Sequence, residues 1–170
     1  MGIEIIRYLL SAIILVLLQF FLIQEINFGT WIKPMPYILF LFTLPFTLNR
    51  FALLFIAFFT GLFLDSLSNM GGLNAAACIT LAAAKTWTDS NILNTDAIIL
   101  QGYKYLSPAY KSFRYYSTYV LALTFIHHWV YFTLDYSTFS AFFTAFIVSL
   151  LSTAGSFAFM LLFRILANIK

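Results

Sequence analysis

With 170 residues the chain has room for one domain, and 62% hydrophobic against 9% charged residues leaves too little polar surface to cover a water-soluble body. The formal net charge of +3 comes from scattered cations, not from a stripe on one exposed face, so it is no argument for nucleic-acid binding. A single cysteine, Cys78, excludes an internal disulfide and a thiolate metal site.

Measured against the roughly 20 apolar residues needed to cross a bilayer core, the apolar runs predict an all-α integral membrane bundle of six transmembrane helices, over about 5–24, 35–49, 51–67, 72–87, 115–134 and 139–165. Together they form a single transmembrane domain, 1–170. In the first span Arg7 precedes the apolar run as it would in a secretion signal. The run ends at Gln24, Glu25, Ile26 and Asn27, which offer no small-residue cleavage site, so an uncleaved anchor is expected.

Pro34 and Pro36 predict an extended entry to the second span, and Pro45 inside it predicts a kink, since proline removes one backbone donor. The short turn at Asn49-Arg50 makes spans two and three an antiparallel hairpin. Both spans are short, so the third must run through Asp65 to about Leu67 in order to cross, at about 1.5 Å per residue. Asp65 then lies at the outer interface. Away from that interface, at a helix centre, a carboxylate costs roughly 2.5 to 3.5 kcal/mol on insertion scales. The Ser66–Gly72 connection sits low on the same side, and non-helical backbone at that depth needs burial in protein or contact with water, so a shallow cavity open to the outer face is expected.

The fourth span carries small residues at Ala76, Thr80 and Ala84, and the sixth carries Ala145, Ser149, Ser152 and Ser156; small residues let helix backbones approach closely. Two readings stay open, packing inside this bundle and a docking face for another membrane protein. The connection 88–114 is read as a cytoplasmic loop. Tyr103, Tyr105 and Tyr110 alternate there with Lys104, Lys111 and Arg114, followed by Tyr115, Tyr116 and Tyr119, a mixture suited to lipid headgroups or to a cytoplasmic partner. A short interfacial helix over Asn91–Leu100 is a further expectation. In the fifth span His127 and His128 are adjacent, so they point about 100° apart and cannot chelate one metal as an i, i+4 pair does. They are read as hydrogen-bonded histidines, one of which approaches Asp65.

Orientation follows from lysine and arginine. With the N-terminus inside, Arg7, Arg50, Lys85, Lys104, Lys111, Arg114, Arg164 and Lys170 fall on the cytoplasmic side and only Lys33 falls outside, which predicts both termini cytoplasmic. The carboxylates Glu4, Glu25, Asp65, Asp89, Asp96 and Asp135 lie mostly at span ends or in loops. No paired carboxylates, nucleophile elbow or glycine-rich phosphate loop appears, and Ser66 and Ser68 read as turn or capping residues, so neither an enzyme nor a cofactor is expected.

The passage Gly61 to Cys78, GLFLDSLSNMGGLNAAAC, resembles the rod shape-determining MreD family in Gly61-Leu62, Asp65, Ser68-Asn69, Gly72-Leu73 and Ala75-Ala76-Ala77-Cys78. The Pro45-Phe46 pair and His127-His128 are similar to the Bacteroidetes-type branch, and the likeness covers nearly the whole chain in length and span order. Members often carry histidine where Asn74 stands here, which removes any titrating imidazole at that position. The resemblance implies a non-enzymatic scaffold of the bacterial inner (cytoplasmic) membrane that binds the transmembrane helix of MreC. It would act with RodA, its class B transpeptidase and, indirectly, MreB to direct lateral peptidoglycan synthesis and rod shape. It marks Gly61, Asp65, Asn69, Gly72, Asn74, His127 and His128 as partner-binding or structural signature residues; membrane lipid is a further expected partner of the protein, and no metal is expected. MreD is similar in fold to the substrate-binding S component of energy-coupling-factor vitamin transporters, which is the alternative. S components dock through an alanine-rich first helix, and the first span here has only Ala12.

Overall fold

The computed structural model describes residues 2–93, 95–105 and 112–168, and the regular structure among them is all helical, with no strand. Helix α1 (Gly2–Leu18) continues as a π-helical turn, Gln19–Ile23. A 3₁₀ turn (Pro36–Ile38) leads into the short α2 (Leu39–Thr43). The long helices α3 (Arg50–Ser68) and α4 (Leu73–Asn91) follow, then the short α5 (Thr95–Leu100), α6 (Phe113–Tyr136) and α7 (Phe142–Asn168). Tyr110, Lys111 and Lys170 lie outside the described residues.

Local chemistry explains the boundaries. Asn49 caps α3 by accepting from the Phe51 amide at 2.9 Å, and Ser112 caps α6 by accepting from Tyr115 at 3.3 Å. At its other end α3 stops on Asn69, which takes the left-handed conformation (φ 53°) while the Asp65 carbonyl accepts from the amides of both Asn69 and Met70. Gly72 (φ 91°) turns the chain into α4. Pro45 ends a helix instead of kinking one: Leu44 before it is extended (φ −71°, ψ 137°), the geometry a following proline imposes. The 35–49 segment is therefore helical only from Pro36 to Thr43.

That short segment sits at the centre. Tyr37, Ile38 and Leu41 are fully buried, with Met35, Phe40, Phe42 and Leu44 nearly so. Helix α3 packs on α4, α4 on α6, and α6 on α7, with α1 beside the short segment. The backbone entering the segment is extended and borrows its partners. Ser152 Oγ accepts from the Lys33 amide at 2.9 Å, Ser156 Oγ accepts from the Met35 amide at 2.7 Å, and Gln19 Nε2 donates to the Pro34 carbonyl at 3.1 Å. Gly155 lets Ile32 and Pro34 lie against α7, since an added Cβ would meet them at 3.3 and 3.4 Å. The small-residue stripe of the last helix is thus occupied from within the chain.

The outside is largely apolar, and many polar side chains are buried within an otherwise apolar core. Leu10, Ile14, Phe55, Phe59, Phe143 and Leu150 are exposed, whereas Gln19, Asp65, Asn74, Lys85, Thr124, His127, His128, Ser149, Ser152 and Ser156 are buried. Two helices, Arg50–Ser68 and Phe142–Ile165, are long and apolar enough to cross a membrane. Helix α4, with 19 residues, and α6, with 24, are about 28 and 36 Å long. Of their polar residues, Asn74, Lys85 and Asp89 of α4 and Thr124, His127 and His128 of α6 are buried.

Four of the described cations share one end, opposite Lys33. Gln24 bonds Ser68, so α1 runs parallel to α3 and ends where α4 begins. At the opposite end lie Arg50, Lys85, Lys104, whose carbonyl accepts from the Phe46 amide, and Arg164, over the Tyr116 ring. Lys85, counted from the sequence among the cytoplasmic cations, is not at the surface. It is only 3% exposed, is paired with Asp89 at 2.6 Å and faces the Phe46 ring, while Tyr119 donates to the other Asp89 oxygen at 2.7 Å.

Candidate functional site

Of the residues singled out in the sequence, Gly61, Asp65, Asn69, Gly72 and Asn74 lie at the α3–α4 junction, and His127 and His128 lie on α6. Helix α4 begins at Gly72, which has no side chain to cap it, and Asp65 from the neighbouring helix supplies the cap. Its Oδ1 accepts from the Asn74 amide at 3.0 Å and from Asn74 Nδ2 at 2.9 Å; its Oδ2 accepts from the Ala75 amide at 2.9 Å. These are the orphan donors of a first helical turn, and a negative charge there also meets the positive end of the helix dipole. Asp65 is 2% exposed, which a carboxylate tolerates because every oxygen is engaged. The clasp needs the two helices close, and Gly61 permits it: a Cβ at that position would lie 2.5 Å from the Asn74 carbonyl and 2.6 Å from backbone atoms of Ala75.

From Asp65 a directed hydrogen-bond chain enters the core. Asn74 spends its amide N–H on Asp65, so its Oδ1 accepts from the Tyr37 hydroxyl at 3.1 Å. With that proton committed, Tyr37 Oη accepts from His127 Nε2, 3.0 Å away, which assigns the Nε2–H tautomer to His127 and leaves its buried Nδ1 without a partner. Cys78 Sγ lies 3.3 Å from the same hydroxyl. His128 holds the opposite tautomer. Ser156 accepts from the Met35 amide and turns its own proton to His128 Nε2 at 3.0 Å, while His128 Nδ1 donates to the Thr124 carbonyl at 2.9 Å.

The sequence expectation that a histidine approaches Asp65 takes an indirect form. His127 reaches it through Tyr37 and Asn74, and His128 serves the α6–α7 contact. Among the described residues no group of three His, Cys, Asp or Glu side chains is placed to hold a metal. The chain is also unsuited to carrying protons, because the Asn74 amide donates through one atom and accepts through another and cannot pass on what it receives. Its chemistry is that of a lock, tying α3, α4, α6 and the central segment together. Tyr37→Phe, which opens the lock without changing shape, is expected to destabilise the protein by about 1–2 kcal/mol, since Asn74 and His127 each lose a buried partner. Thermal unfolding of the purified protein in detergent checks this; an unchanged midpoint would mean the hydroxyl bonds add nothing.

A cavity of about 580 Å³ opens beside the junction, walled by the π-helical turn, by residues 24–29 and 32–35, and by Leu67, Ser68, Asn69, Met70 and Tyr131. It occupies the end where the sequence places a shallow cavity. Sequence reasoning overlooked Tyr37, Gln19 and the buried Lys85–Asp89–Tyr119 group. The i, i+4 spacing of Lys85 and Asp89 was the available signal for the last of these. Compared with protein-family models, curated proteins and solved structures, the chain matches none.

Proposed function

We infer that this is a six-crossing protein of the bacterial inner membrane with both termini on the cytoplasmic side, acting as a non-enzymatic scaffold of the MreD type. The apolar exterior supports the membrane setting: phenylalanine, leucine and isoleucine cover the outside while several polar side chains are buried. The 35–49 segment crosses as a broken helix, whose irregular backbone is acceptable because the protein buries it. A cysteine in place of the exposed Gly71 should react with an impermeant maleimide in intact cells stripped of their outer barrier. A cysteine in place of Ser90 should react only after permeabilisation, while native Cys78 stays silent. Labelling of both new cysteines from one side would defeat the topology.

The observation that carries the scaffold reading is the use made of the signature. Gly61, Asp65, Asn69, Gly72 and Asn74 are all spent on closing and bracing one helical hairpin. Such a rigid strut suits a protein whose task is to hold the MreC transmembrane helix and, through it, RodA, its transpeptidase and MreB. The test is retention of MreC when the tagged full chain is purified from its native membranes. Recovery of a bound vitamin with no MreC would favour the transporter S component instead.

A further inference from the structure

We propose that the pocket where the Pro45 turn meets the start of α3 and the α4–α5 connection binds a phosphate group, with Arg50 as its cation and the Ser90 and Thr95 hydroxyls as donors. The pocket has a volume of about 260 Å³, and Phe46, Leu48 and Lys85 complete much of its wall. That is below the range of drug-sized sites and suits a headgroup.

Three observations point to an anion. Arg50 is exposed, meets no carboxylate among the described residues and rests over the Phe51 ring, 5.2 Å away. Its planar fork of donors matches phosphate oxygens, and it stands at the positive end of the α3 dipole. The carboxylate in the wall, Asp89, is already engaged. Its Oδ2 accepts from Lys85 and its Oδ1 from Tyr119, so the ion pair is neutral and Arg50 leaves the pocket with a positive charge in excess. Ser90 and Thr95 bring hydroxyls that no acceptor among the described residues engages, whereas the Thr86 proton is spent on the Ala82 carbonyl.

An anionic phospholipid and a soluble phosphate share this chemistry. The lipid is favoured, because Phe51, under the guanidinium, begins an exposed row with Phe55 and Phe59 on one face of α3 that can carry acyl chains. This preference rests on the membrane setting proposed above and is independent of the scaffold role.

The test uses the purified full chain in dodecyl maltoside, with phosphatidylglycerol, phosphatidylcholine and inorganic phosphate as probes. Native mass spectrometry reads the lipids and phosphorus NMR line broadening reads the phosphate. Phosphatidylglycerol is expected to bind about fivefold more tightly than phosphatidylcholine, whose choline Arg50 repels, the worth of one cation at a lipid surface. Arg50→Gln and, separately, Ser90→Asp, both at exposed positions, should erase the preference. Arg164→Gln, at the same end but outside the pocket, should keep it. Equal binding of the two lipids with no response to inorganic phosphate, or a preference that survives Arg50→Gln, would overturn the proposal. A phosphate response that vanishes in Arg50→Gln, with both lipids bound equally, would keep the site and assign it to a soluble phosphate; a response that survives would overturn it. MreC retention is measured separately, so failure of either result leaves the other standing.

Discussion

Gly61→Ala is expected to destabilise the protein by about 3 kcal/mol or more, at the upper end of what overpacking produces. Two effects oppose each other. Alanine in place of a mid-helix glycine contributes about 1 kcal/mol through lower chain entropy and better helix propensity. Against this, the new methyl would lie within 2.6 Å of the backbone of Asn74 and Ala75, where no side-chain rotation gives relief. Helices α3 and α4 must move apart by about 1 Å to restore an ordinary contact of roughly 3.5 Å. That movement also stretches the bonds from Asp65 to the two amides. Gly61→Leu should prevent a folded species from accumulating, whereas Gly71→Ala, with nothing within 4 Å of the added carbon, should be near neutral. Thermal melting of the detergent-solubilised variants, read by fluorescence-detected size exclusion, checks the series. If Gly61→Ala melts with the wild type, the close approach of the helices is not needed for stability.

Removing the carboxylate should have the second largest effect. Asp65→Ala leaves the amides of Asn74 and Ala75 and the Asn74 side chain without an acceptor in a buried position, and about 3 kcal/mol is expected from the lost cap and the charged hydrogen bonds together. Asp65→Asn should recover only part of this, because its amide nitrogen would confront the Ala75 N–H, donor against donor. The same melting assay applies, joined by amide hydrogen exchange over residues 73–76, where the first turn of α4 should lose protection in both variants. Loss of MreC binding in Asp65→Ala would therefore report a loosened hairpin, because the carboxylate is not on the surface. Unchanged stability in Asp65→Ala would show that the first turn of α4 finds other acceptors.

Parts of this arrangement were legible in the sequence because they depend on neighbours in the chain. The bounds of α3 and α4 follow from Asn49, Asn69 and Gly72, and a carboxylate flanked by apolar residues marks Asp65 as needing partners. Tyr37 gave no such mark. Its partners Asn74, Cys78 and His127 lie 37, 41 and 90 residues away, and an aromatic residue in a greasy segment looks like any other until the fold is known. The burial of Lys85 is not legible either, since counting cations takes no account of which helical face they occupy. Pro45 was read as a kink because the segment seemed to continue beyond it, yet the extended Leu44 shows that the helix had already finished. Gln19 was hidden within an apolar run.

The serines that receive the Lys33 and Met35 amides also set an order of manufacture. They stand 119 and 121 residues later in the chain, so during synthesis the second apolar segment emerges long before its partners exist. On the membrane crossing proposed above, each unmet backbone group in hydrocarbon costs several kcal/mol, so that segment cannot settle in its final place when it is made. It must wait, near water or a chaperone, until the last helix arrives, and a chain cut short before Phe142 would strand its beginning as well as lose its end.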